Sequence, residues 1–100
     1  MNPYQKEELK RSLVACLAQA PEVSRIVVFG SFLTSDSPHD MDVAVFQESD
    51  EPYLQLAMKY RRQARPVARY IPLDIIPIRK TASSSPLLRE IETGETIYER

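Results

Sequence analysis

The sequence contains one cysteine, no tryptophan and two glycines in 100 residues. A single thiol excludes an intramolecular disulfide and argues against a Cys-based structural zinc site. Cys16 falls in an apolar helical pattern, where a buried core thiol is expected. With glycine this scarce, Gly30 and Gly94 each mark a backbone requirement. No apolar run approaches the roughly 20 residues that span a bilayer. The opening MNPYQKEELKR is charged and helical, unlike a secretory signal, so a cytoplasmic protein is expected. The formal charge is −1, so the whole molecule offers no electrostatic case for nucleic acid or membrane. Any basic surface must be local. Internal repeats and low-complexity segments are also missing.

What is present suits a small globular domain spanning residues 1–100. Apolar residues make up 43% and charged residues 27% of the chain, enough for one two-layer core. Residues 3–19 read as a first helix. Asn2 caps it, Pro3 takes the first helical position, and Gln5 completes a capping box. Leu9, Leu13, Cys16 and Leu17 share its apolar face. Val23 to Phe29 reads as a strand buried on both faces. Gly30 breaks it, Ser31 to Leu33 can open a short helix, and Thr34 to Pro38 is rich in turn residues. Met41 to Phe46 reads as a second strand.

A second helix is expected from Pro52 to about Gln63, with Leu54, Leu56, Ala57, Met58 and Tyr60 as its apolar surface. A third strand lies within Val67 to Ile78, and Pro72 and Pro77 point to a sheet edge or bulges. Ser85-Pro86 starts a last helix through Ile91, with Leu87, Leu88 and Ile91 facing inward. Gly94 is expected to end it in a left-handed conformation. Thr96 to Tyr98 closes as an extended tail. These elements predict an α/β fold: a small mixed β-sheet with helices packed mainly on one face.

The stretch Arg25 to Phe46 carries the chemistry. Asp40 and Asp42 open the second strand two residues apart, so their carboxylates share one face. Two like charges at the mouth of an apolar strand are costly unless a cation or a reaction uses them. Asp74 sits between Leu73 and Ile75 in the third strand and poses the same problem. If strands two and three are neighbours, three carboxylates meet, a donor set suited to hard cations such as magnesium. Gly30-Ser31 lets the backbone approach a phosphate, with N–H donors and a hydroxyl facing it. Alone, a Gly-Ser pair is usually just a turn and an Asp-x-Asp a solvated loop or a cap, while Asp74 could be a bulge residue or pair with an arginine such as Arg69 or Arg79. Their combination is far more specific.

VVFGSF, HDMDVAVF and IPLDIIPI together resemble the minimal nucleotidyltransferases of the DNA polymerase beta superfamily. The likeness runs from about Val23 to Tyr98 and includes the ending LLREIETGETIYER. It implies a polymerase beta-type nucleotidyltransferase fold over residues 1–100. It further implies that Gly30 and Ser31 bind the nucleotide phosphates. Asp40, Asp42 and Asp74 would be both catalytic and metal-binding, with two Mg2+ ions, and Asp74 would help activate an acceptor hydroxyl. ATP would be the donor of AMP. Minimal members are commonly paired with a helical HEPN-type protein, which implies an antitoxin that adenylylates a tyrosine of its toxin, in a homo- or hetero-oligomer. Two features depart from the usual pattern. Eight residues separate Ser31 from Asp40, a short link, and Phe32 and Leu33 stand where an arginine is often found.

Other roles for the same scaffold are a binding antitoxin without catalysis, or nucleotidyl transfer to a small molecule of the aminoglycoside type. His39 reads as a solvated turn residue. The basic run from Lys59 to Arg69 suits a triphosphate, RNA, an acidic partner or simply a solvated helix end.

Overall fold

The computed structural model describes residues 1–82 and 84–100. Helix α1 (Pro3–Leu17) is followed by strand β1 (Val23–Phe29), the four-residue helix α2 (Ser31–Thr34) and strand β2 (Met41–Gln47). Helices α3 (Tyr53–Gln63) and α4 (Arg65–Ala68) then lead to strand β3 (Leu73–Arg79), and helix α5 (Pro86–Glu92) leads to strand β4 (Glu95–Glu99). The sheet order is β3-β2-β1-β4. β1 is antiparallel to β2 and β4, while β2 and β3 run parallel. The sheet is therefore mixed, as expected.

Local chemistry explains the elements. The Asn2 carboxamide accepts from the Gln5 N–H at 2.8 Å, and Gln5 Oε1 accepts from the Asn2 N–H at 2.9 Å. This capping box satisfies two donors that the first turn leaves orphaned. Leu9, Leu13 and Leu17, spaced four apart, are the buried stripe of α1. They pack with Ile26, Val28, Val43, Val45 and Ile75 under α3 and α4. The opposite sheet face buries Val27, Phe29 and Ala44 beneath Ile91 of α5. Every residue from Ile26 to Phe29 is buried because helices cover both faces of β1. Helices α1 to α4 lie on one face and α5 on the other, so that expectation also holds.

Several expectations need correction. Residues 67 and 68 belong to α4, and β3 starts only at Leu73. Pro66 sits in the first turn of α4, where its missing N–H costs no intrahelical bond. β3 is a sheet edge, which is where Pro77 is tolerated without breaking a ladder. On α3 the buried face is Leu56, Ala57 and Tyr60, whereas Leu54 and Met58 are exposed. Leu87 is exposed too, leaving Ile91 as the buried anchor of α5. The tail is a true strand that completes the sheet beside β1. Gly94 is not left-handed, since Gly30 alone has positive φ among the described residues. What Gly94 needs is space: a Cβ there would lie 2.5 Å from the Val28 carbonyl and 2.9 Å from Phe29 Cβ. Cys16 is half-buried against the core, and burial raises its thiol pKa.

One polar contact fastens α3 to the turn before β1. Lys59 Nζ and Tyr60 Oη both donate to Glu22 Oε2, at 2.9 and 2.7 Å. Burial pushes the Glu22 carboxyl up, but these two donors outweigh it and hold the pKa below the ordinary 4.5. A depressed carboxyl contributes stability above its unfolded value and loses it as pH falls through the folded one. Glu22→Gln is therefore expected to lower stability at neutral pH and to flatten its decline below pH 4.5. Urea unfolding across that range checks this; an unchanged acid profile would exclude the role. Lys59 is thereby removed from the basic run, because its charge is already paired.

Candidate active site

Asp42 is the second residue of β2, and Asp74 the second of β3. In the parallel register these two are direct partners. Asp42 is also the partner of Phe29, the last residue of β1. The three strands thus deliver Phe29-Gly30, Asp42 and Asp74 to one end of the sheet. Alternation places Asp42 and Asp74 on the same face as Ala44 and Ile76, the face that carries α5. Asp40 precedes β2 and is exposed, as is Asp74, while Asp42 is half-buried. The adjacency of strands two and three, on which the three-carboxylate reading depends, is present.

The Gly-Ser turn meets the carboxylates directly. Gly30 has φ +78° and ψ −155°, a backbone region that L side chains rarely enter. A Cβ on Gly30 would lie 2.6 Å from Asp42 Oδ2. Only hydrogen at that position leaves room for the carboxylate. Ser31 then starts α2 with its side chain exposed. Because α2 spans four residues, its few leading N–H groups matter more than any helix dipole. Phe32 is fully buried in the main core. The position where an arginine is often found is therefore a packing anchor here, and it holds the turn against the sheet.

Electrostatics single out Asp42. Burial raises its carboxyl pKa above the ordinary value, and the negative charges of Asp40, Asp74 and Glu90 raise it further. No carboxylate of Asp40, Asp42 or Asp74 has a hydrogen-bond or ion-pair partner among the described residues. In particular Asp74 pairs with neither Arg69 nor Arg79, and Arg79 instead approaches Asp50 at 4.0 Å. A set of unpartnered hard oxygen donors fits a hard divalent cation. Among the described residues, however, no three such side chains are drawn together tightly enough to hold an ion as they stand. His39 is exposed, in keeping with a turn residue.

Sequence reasoning misses Glu90. It lies on α5, the one helix on the carboxylate face, one residue before the buried anchor Ile91. Nothing in its spacing links it to Asp42, since only packing of α5 on the sheet brings the two charges together.

Residues 11–100 match the family described as Polymerase beta, Nucleotidyltransferase. The chain belongs to the polymerase beta nucleotidyltransferase family. Solved structures agree on the fold. One is the Shewanella oneidensis MNT antitoxin complex with a tri-AMPylated HEPN toxin, similar with a TM-score of 0.65 at 19% identity over 95% of this chain and 73% of that one. A second is the MntA–HepT toxin–antitoxin structure, with a TM-score of 0.63 at 18% identity over 94% and 73%. A third is CdnC of E. coli MS115-1 with ATP, with a TM-score of 0.50 at 24% identity over 83% of this chain and 35% of that one. No curated protein sequence matches significantly. Among the described residues, no helix of this nucleotidyltransferase domain is long and apolar enough to cross a membrane.

Proposed function

We propose that this nucleotidyltransferase moves AMP from ATP to a hydroxyl, that of a tyrosine on a HEPN-type helical partner, and acts as the antitoxin of that pair. The observation that carries the reading is the site itself: Asp42 faces Asp74 across the parallel register, abuts Gly30, and has no cationic partner among the described residues. Family membership supplies the reaction class. The choice of acceptor and donor is supported by the AMPylated HEPN toxin in one similar structure and the ATP in another. The cytoplasm, with its ATP and magnesium, is the proposed setting.

Asp40, Asp42 and Asp74 would hold two Mg2+ ions, which would supply neutralisation of the phosphate charge. Asp40 and Asp74 are exposed, so their side chains can turn toward Asp42. The Gly30-Ser31 turn presents N–H groups and the Ser31 hydroxyl to the outer phosphates. Attack by the acceptor oxygen forms its bond to the α-phosphorus and breaks the α–β bridge. Pyrophosphate leaves, and the acceptor proton passes to Asp74. Catalysis is then mainly positioning and charge stabilisation.

This bond assignment is tested by label position. The acceptor is expected to gain label from ATP labelled at the α-phosphate and none from ATP labelled at the γ-phosphate. Chelation of magnesium should stop the transfer. Incorporation from γ-labelled ATP, or none from either, would overturn the reading.

A further inference from the structure

Helix α3 carries more apolar surface than the core uses. Leu54 and Met58 are 67% and 55% exposed, in contrast to Leu56, Ala57 and Tyr60 on the buried side. At about 3.6 residues per turn, Leu54, Met58, Arg61 and Arg62 fall within an arc of roughly 100° turned away from that buried side. Charge is divided along this seam. Asp50 and Glu51 stand exposed at the N-terminal end, just before the N-cap Pro52, and Arg61 and Arg62 occupy the last turn. Among the described residues, the side chains of Glu51, Arg61 and Arg62 make no ion pair or hydrogen bond, and Asp50 meets only Arg79, at 4.0 Å. Lys59 differs, since Glu22 holds its ammonium group.

A surface with an apolar centre, an acidic end and a basic end is complementary to its own reverse. Antiparallel pairing of two α3 helices about a two-fold axis sets Leu54 of each copy against Met58 of the other. The same register sets Arg61 beside Glu51 and Arg62 beside Asp50 of the opposite copy. A parallel pair would bring arginine to arginine and acid to acid, which is repulsive. A different partner carrying one sign of charge would satisfy one end of the seam and clash with the other. Two-fold contacts of this self-complementary kind are the commonest closed assemblies.

We infer that the exposed face of α3 is a self-association surface, on which two copies of this chain pair antiparallel through Leu54 and Met58 with their acidic and basic ends crossed. This pairing does not depend on the proposed transfer reaction. Leu56 and Tyr60 place α3 on the sheet face opposite α5, whereas Asp42 and Asp74 share the face of α5. Both carboxylate sites of the dimer therefore stay open. One short helix pair is a small interface, so the dimer forms and dissociates readily.

Sedimentation velocity of the full chain from about 5 to about 500 μM covers the range expected of a contact this small. The native chain is expected to shift from monomer toward dimer as its concentration rises, and less so at high salt. Leu54→Ser/Met58→Ser should weaken association by about tenfold or more. Arg61→Glu/Arg62→Glu and Asp50→Lys/Glu51→Lys should each weaken it by a similar factor. All four reversals in one chain recreate both charged contacts and should return association to within about threefold of native. Thermal melts confirm folding, and Arg61→Gln/Arg62→Gln replaces an arginine reversal that fails to fold. Where the fourfold variant fails to fold, an equimolar mixture of the two charge-reversed double variants takes its place, and it should associate where neither does alone. A chain that stays monomeric throughout, association indifferent to Leu54 and Met58, or reversals that do not compensate one another would overturn the inference.

Discussion

Asp42→Asn is expected to abolish nucleotidyl transfer while leaving the fold at least as stable as the native chain without divalent cation. The two effects have one origin. Asp42 is half-buried, faces Asp74 in register, and feels the charges of Asp40, Asp74 and Glu90 with no cation to offset them. An amide of nearly the same shape removes the repulsion and keeps the packing. It also removes the charge of a proposed metal ligand, which should cost on the order of 10^3-fold in rate, as for loss of a key electrostatic group. Magnesium should raise the melting temperature of the native chain by binding its folded form, and should do much less for the variant. Paired measurements of transfer rate and of melting temperature with magnesium or a chelator decide it. A variant that keeps transfer, or that loses stability in chelator, would show that Asp42 is structural.

Gly30→Ala is expected to lose both activity and stability, unlike Asp42→Asn. At φ +78° and ψ −155°, an L-residue pays strain of about 1–3 kcal/mol. The added methyl would also meet Asp42 Oδ2 at 2.6 Å, so either the turn or the carboxylate has to shift. Displacing a catalytic group by ~1 Å can cost roughly 100-fold in rate. Denaturant unfolding and transfer kinetics on the same preparation separate the two effects. A variant of native stability would mean that the turn relaxes into another conformation. Native activity would mean that Asp42 does not need the place it occupies.

The sequence carried much of the fold because most of its signals are local. The Asn2–Gln5 capping box, the four-residue leucine spacing of α1 and the unbroken apolar run of β1 act over one or two turns, or along one strand. The errors arose where distant contacts decide. Leu54 and Met58 look as apolar as Leu56, but only the side of α3 that meets β3 is buried. Gly94 carries a helix-stop signature, yet its constraint is the β1 backbone lying against it. Phe32 follows the Gly-Ser turn, and the core claims it.

The sequence by itself determined that β1 breaks at Gly30 and that Asp42 stands near the start of β2, because both follow from local backbone geometry. Only tertiary structure decided the rest. Parallel pairing of β2 with the edge strand β3 put Asp74 opposite Asp42, across a connection that no local pattern fixes. Packing of α5 on the less covered sheet face added the charge of Glu90. Charges act through space, so residues remote in the chain can meet at a site once the sheet has brought them together.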